Sequence, residues 1–164
     1  MSMEGSLGCR GLDVPAPPVR SSGRRIVAFG PSRLHPAFVI STVPMRIIAG
    51  EGHGRKLRVP KGGETRSTAS RVKQTYFDIM RPAIEGASFL DACSGSGAMG
   101  IEAISRGAEH ATLIDRSHAA AASALVNIRV LGEKSRRVEV LQGDLLRTLR
   151  KLRSEGRTFD VVYL

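Results

Sequence analysis

The chain of 164 residues is poor in cysteine, short of acids and without a long apolar run. Two cysteines, Cys9 and Cys93, cannot build a disulfide framework or a structural zinc site, which leaves a reducing cytoplasm as the default compartment and no expected metal. No uninterrupted apolar stretch of about 18 residues exists, so no helix is expected to span a membrane. The start of the chain lacks an apolar core of about 7–15 residues, so a secretory signal peptide is not expected. No Gly-Lys-Ser/Thr run follows a glycine-rich loop, which excludes a P-loop, and no internal repeat is visible. Wholesale disorder is not expected, because 41% of the residues are hydrophobic and 24% charged, as in an ordinary globular protein. The shortage of acids, 15 Asp+Glu against 25 Lys+Arg, leaves a net charge of +10. Such an excess points to an anionic partner, most often nucleic acid; the plain alternative is a basic protein with no such partner.

The excess is concentrated. Residues 45–81 hold nine Lys/Arg against Glu51, Glu64 and Asp78, a balance of +6, whereas 82–164 hold eleven against ten. A local basic patch is the stronger nucleic-acid signal, because neutralised phosphates release their counterions together. Residues 1–44 contain six of the eight prolines and no sustained period of 2 or 3.6, and are expected to be a mostly disordered extension ahead of a possible natural start at Met45.

From Met45 the pattern is that of folded structure. Met45–Ala49 and Arg55–Val59 are β-prone runs around Gly50, Gly52 and Gly54, which predicts a hairpin displaying Arg46, Arg55, Lys56, Arg58 and Lys61. Val72, Tyr76, Ile79 and Met80 recur at helical spacing, with Thr68 or Ser70 as N-cap and Pro82 as terminator. Arg66, Arg71 and Lys73 are expected at its start or on its polar side, as a solvated face or as an RNA contact; Arg71 and Lys73 serve equally well as partners for a cofactor carboxylate. The remainder alternates: strands at 88–92, 111–115, 138–142 and 159–164, and helices at 98–106, 117–131 and 144–153. That order predicts an α/β fold with a parallel, doubly wound sheet.

The first strand-to-helix turn is the most informative segment. Leu90-Asp91-Ala92-Cys93-Ser94-Gly95-Ser96-Gly97-Ala98-Met99-Gly100 brings a ligand close to the main chain at a helix N-terminus. Gly95-x-Gly97-x-x-Gly100 matches the dinucleotide fingerprint, with Asp115 twenty residues after Gly95. Asp91 argues against a dinucleotide, since a carboxylate there repels a pyrophosphate but suits the ammonium of a methionine moiety. Asp115 then suits the ribose hydroxyls and Asp144 the adenine amine of S-adenosylmethionine, with Ser94, Gly95 and Gly97 forming the turn itself. Taken singly, each acid has a plainer reading: a helix-cap acid for Asp91, an exposed turn residue for Asp115, an N-cap for Asp144.

Met45-Arg-Ile-Ile-Ala-Gly50, Gly54-Arg-Lys-Leu-Arg-Val-Pro60, Thr65-Arg66, Arg71-Val-Lys73 and the run from Phe89 to Ala103 resemble the bacterial small-subunit ribosomal RNA guanine-N2 methyltransferase family. The resemblance covers about 45–164 and implies a Rossmann-like class I methyltransferase sheet, preceded by a basic hairpin and helix facing RNA (45–81), with 82–164 as the N-terminal part of the cofactor domain. It implies methyl transfer from S-adenosylmethionine to the exocyclic amine of a guanine, in RNA presented on an assembling small subunit. Departures from the family pattern are Ser67 after Thr65-Arg66, Gln74 after Lys73, and Asp115 where the family usually has Glu. The family's Asp-Pro-Pro-Tyr/Phe motif, which orients the guanine amine, would follow Val161-Val162-Tyr163-Leu164. The expectation is therefore an incomplete sheet with an unpaired edge at the last strand, and a fragment of little activity whose catalytic residues are unknown. The competing readings are a nicotinamide-dependent oxidoreductase and a non-catalytic RNA-binding module.

Overall fold

A computed structural model of the chain describes residues 27–29, 45–58 and 70–164. The expectations for the rest of 1–44, and for Lys61 and Arg66, lie outside the described residues. Strands β1 (Val27–Phe29), β2 (Ser88–Asp91), β3 (His110–Asp115), β4 (Val138–Gln142) and β5 (Val161–Tyr163) form one sheet in the order β1-β5-β2-β3-β4. All its pairings are parallel. From β2 the chain moves outward through β3 to β4, then returns to the other side of β2 as β5. The order reverses at β2, and open α/β sheets bind ligands at the carboxyl ends of the strands at such a point. Asp91 there lies in register with Leu113 and with Tyr163.

Alternation along each strand sends neighbouring residues to opposite faces. Phe89, Leu113 and Val161 pack under α1 (Ser70–Ile84), α2 (Ala98–Ser105) and α3 (His118–Asn127). Leu90, Ile114 and Val162 pack under α4 (Leu145–Ser154), through Leu145, Leu149 and Leu152. The doubly wound expectation therefore holds.

Several local expectations change. Val27–Phe29, inside the segment expected to lack regular structure, pairs along β5, so the strand expected to be an open edge has a neighbour. The hairpin is reduced to one antiparallel bridge, Arg46↔Lys56, flanked by Ile47 N–H to Arg55 O at 3.0 Å and Leu57 N–H to Met45 O at 2.8 Å. Helix α1 buries Lys73, Phe77, Met80 and Ile84, not the Val72/Ile79 stripe; Val72 is 40% and Ile79 65% exposed. Pro82 lies inside α1 rather than at its end. A proline so near a helix terminus sacrifices one hydrogen bond, and the two residues that follow it in the helix bury Ile84 in the core. Helix α3 ends at Asn127 and continues as a 3-10 segment, Ile128–Arg137, kinked at Gly132 with φ 61°. Among the described residues no helix is long and apolar enough to cross a membrane.

The hairpin docks on the α1–α3 layer around Glu102. This side chain is 0% exposed and accepts from Ile48 N–H at 2.8 Å, Ala49 N–H at 2.9 Å and Arg106 Nε at 2.9 Å. Lys73 Nζ completes the set at 3.0 Å and also donates to Arg46 O at 2.6 Å. Lys73, expected to face RNA, is 1% exposed and unavailable to it. The physical reason is pairing: a lysine can be buried when a buried carboxylate and a carbonyl meet its ammonium. Burial still pulls its pKa below the ordinary lysine value, against the pull of Glu102. Gly50 seats the hairpin on α2, with φ 79° and so little room that a Cβ would fall 1.8 Å from Ser105 O.

Candidate nucleotide-cofactor site

The turn between β2 and α2 is held from three sides. Ser94 N–H donates to Ile114 O at 2.9 Å, and Gly95 N–H to Asp115 Oδ2 at 2.8 Å. Gly95 and Gly97 take φ values of 53° and 79°, a region that side chains with a Cβ resist. Gly100 lets α2 lie directly on β3, since a Cβ there would come 2.1 Å from Leu113 Cδ2. The result is a backbone cradle with the free N–H groups of a helix start aimed at the sheet's carboxyl edge.

Asp91 lies beneath this cradle, 1% exposed. Its Oδ2 accepts from Gly100 N–H at 3.3 Å, and its Oδ1 has no hydrogen-bond partner. Burial pushes its carboxyl up to about 7, helped by the charge of Asp115 and opposed by the Gly100 N–H. Ser94 Oγ is also buried and unpartnered. Two orphaned polar atoms at one turn are a costly arrangement in an apoprotein. They fit a ligand that brings a hydrogen-bond donor such as an ammonium to Asp91 and a second polar group to Ser94.

Asp115 is brought to the same turn, but its carboxylate is partly engaged. Oδ2 accepts from Gly95 N–H, and Oδ1 from Ser117 N–H at 2.8 Å. Each oxygen keeps a second lone pair for a hydroxyl donor. Asp144 caps α4, its Oδ1 accepting from Arg147 N–H at 3.0 Å. The preceding Gly143 N–H donates to Asp115 O at 2.9 Å, which sets the third strand end beside the second.

Three neighbours of the turn carry no site role in the sequence reading. Tyr76 of α1 meets Tyr163 of β5 edge-on, ring centroids 5.1 Å apart. Burial raises the Tyr76 hydroxyl above the ordinary tyrosine range, with the charges of Tyr163 and Asp91 adding to the effect. Cys93 is exposed on the turn, and burial, then Asp115 and Asp91, raise its thiol pKa. Asn127, fully buried, donates through Nδ2 to Arg58 O at 2.8 Å and to Ser96 O at 2.9 Å. Its Oδ1 accepts from Arg58 N–H at 2.7 Å, so one amide joins the hairpin to the glycine turn. The sequence signal available for Asn127 was a polar residue on the inward side of an otherwise alanine-rich helix.

Of the cations expected to face RNA, Arg46, Lys56, Arg58 and Arg71 are exposed. Arg55 is exposed too, but one guanidinium nitrogen donates to Val130 O, which ties the hairpin to the 3-10 segment. Lys73 leaves the set, as described above.

A parallel sheet reversing at β2, with a glycine turn above a strand-end carboxylate, is the Rossmann-like architecture of class I methyltransferases. An O-methyltransferase from Bacillus cereus, solved in complex with S-adenosylhomocysteine, shares the fold with a TM-score of 0.50 at 20% identity, over 58% of this chain and 44% of its own. The chain belongs to the family described as Conserved hypothetical protein 95, which matches residues 45–164. Ribosomal RNA small subunit methyltransferase D of Escherichia coli (strain K12) is 43% identical over 94 residues, 57% of this chain and 48% of its own length. The protein of the same name from Haemophilus influenzae is 37% identical over 120 residues, 73% of this chain and 62% of its own. The chain thus spans about half to two thirds of these curated relatives.

Proposed function

We propose that this chain forms the S-adenosylmethionine-binding part of an enzyme that methylates small-subunit ribosomal RNA on the exocyclic N2 of a guanine. The observation that carries the reading is the pair of buried orphans, Asp91 Oδ1 and Ser94 Oγ, under the glycine turn. A carboxylate held there pairs with the ammonium of the cofactor's methionine moiety, and pairing draws Asp91 into its charged form. Asp115 offers its remaining lone pairs to the ribose hydroxyls, and Asp144, capping α4 with one oxygen, keeps the other for the adenine amine. When bound, S-adenosylmethionine supplies an electrophilic methyl group, so the protein's task is position and electrostatics. A dinucleotide suits this site less, because Asp91 would face a pyrophosphate.

The RNA assignment draws on the names of the relatives and on the exposed cations of 45–58 and Arg71. These cations lie on the hairpin and α1, on the same sheet layer as the glycine turn. An assembling small subunit, in the cytoplasm, is the setting this reading implies. The residues that would orient the guanine amine are not assigned in this chain.

Titration calorimetry with S-adenosylhomocysteine and with NAD tests the cofactor. Binding of the former, weakened about 100-fold by Asp91→Asn, is expected. NAD binding with no response to S-adenosylhomocysteine overturns the reading.

A further inference from the structure

Charge summed over the second half of the chain is nearly neutral, yet α4 is not. Leu145–Ser154 holds Arg147, Arg150, Lys151 and Arg153 and no acid. At about 100° per residue Arg147, Arg150 and Lys151 point away from the Leu145, Leu149 and Leu152 side, which packs on the sheet, and Arg153 flanks it; all four are exposed. Elsewhere in this half Arg106 pairs with Glu102 and Asp78, Lys134 with Glu51 and Arg157 with Glu139, while Arg116, Arg129, Arg136 and Arg137 have no ion pair among the described residues but are not gathered on one unbroken helix. Among the described residues the side chains of Arg147, Arg150 and Arg153 have no hydrogen bond or ion pair, and Lys151 has only a 3.8 Å contact with Glu155. Arg147 also stands in the first turn, where the helix dipole disfavours a cation and an acid would stabilise. The helix dipole accounts for Lys151 and Arg153 in the last turn but not for Arg147.

We propose that the solvent face of α4 is a second contact for the phosphate backbone of RNA, on the sheet layer opposite the hairpin. This rests on the RNA-facing reading given above and adds a surface to it. Helix α4 leaves the same carboxyl edge that holds Asp91 and Asp115, so its first turn with Arg147 adjoins the site edge. The hairpin cations flank that edge from the α1–α3 layer, and α4 flanks it from the other. Successive arginines three residues apart rise about 4.5 Å per step, and Arg147 to Arg153 covers about 9 Å, roughly two to three nucleotides of one strand. Guanidinium groups suit phosphate oxygens through paired N–H donors.

The test is the salt dependence of binding of a fluorescein-labelled RNA stem-loop to the full chain, with poly-glutamate as competitor. The triple variant Arg147→Gln/Arg150→Gln/Arg153→Gln keeps the backbone N–H that Asp144 caps, and its unfolding midpoint is checked first. It is expected to raise Kd roughly tenfold or more and to flatten the log Kd against log salt slope by about 2 to 3. S-adenosylhomocysteine binding is expected to stay unchanged. The triple Arg→Lys variant, which keeps the charge, is expected to restore most of the slope. Should the glutamine variant leave the slope unchanged while Arg46→Gln/Lys56→Gln/Arg58→Gln flattens it, the inference falls and the RNA reading stands. Should neither set move the slope, both fall. Competition by poly-glutamate as effective as by unlabelled RNA overturns the inference in favour of an acidic protein partner.

Discussion

Glu102 and Asp91 are both buried carboxylates, and they stand in opposite circumstances. Glu102 receives two backbone N–H groups, a lysine and an arginine, so all its charge is met inside the protein. Asp91 receives one long hydrogen bond and leaves an oxygen with none. A satisfied buried acid is structure; an unsatisfied one at a sheet's switch point is a place for a ligand. The first fixes where the hairpin sits, and the second defines what the turn beside it can hold.

The contrast breaks most visibly at Glu102. Glu102→Ala leaves Lys73 buried and alone and frees two amides, and is expected to cost about 3–5 kcal/mol of unfolding free energy in urea denaturation. Glu102→Leu with Lys73→Met is expected to recover part of this loss, but not the part due to the Ile48 and Ala49 amides. Asp91→Asn should behave otherwise. It is expected to leave the apoprotein no less stable at pH 8, measured by thermal unfolding, while weakening S-adenosylhomocysteine as stated above.

A smaller effect comes from pH. The folded carboxyl of Asp91 titrates at about 7, against 3.8 for an ordinary aspartate, so the folded state binds the extra proton between those values. Its contribution to stability therefore falls as pH rises from about 4 through about 7. Ligand affinity is expected to run the other way, rising severalfold from pH 6 to pH 8 as the carboxyl ionises. Asp91→Asn should flatten both profiles, read by thermal unfolding and calorimetry. The smallest effect is expected at Glu51. Lys134 holds its carboxyl below the usual range, but the pair is on the surface, and Glu51→Gln should leave the unfolding midpoint within scatter.

Much of this was legible in the chain. The order of strands and helices after Ser88 followed from short apolar runs punctuated by glycine, and the turn at Gly95 from its spacing. The partners of Asp91 were not legible, because its orphaned oxygen is a fact of packing rather than of composition. The burial of Lys73 is hidden in the sequence for a related reason. A cation on a helix next to Arg71 looks solvated until Glu102, distant in sequence, is found on the helix it packs against. The apolar stripe of α1 was displaced with it, since Lys73 takes a place on the buried side beside Phe77 and Met80. The hairpin was recognised from its glycines, but its anchoring on Ser105 and Asn127 involves residues more than fifty positions away. The strand at Val27–Phe29 carried no periodic signal, being three residues long in a proline-rich stretch.

The side chain of Asn127 works as a tether. It grips the main chain of the hairpin at Arg58 with both ends of its amide and, through the nitrogen, also the main chain of the cradle at Ser96. The slack in such a link is a few tenths of an ångström before a hydrogen bond fails. A pull on the hairpin at Arg58 is therefore felt at Ser96, inside the glycine turn.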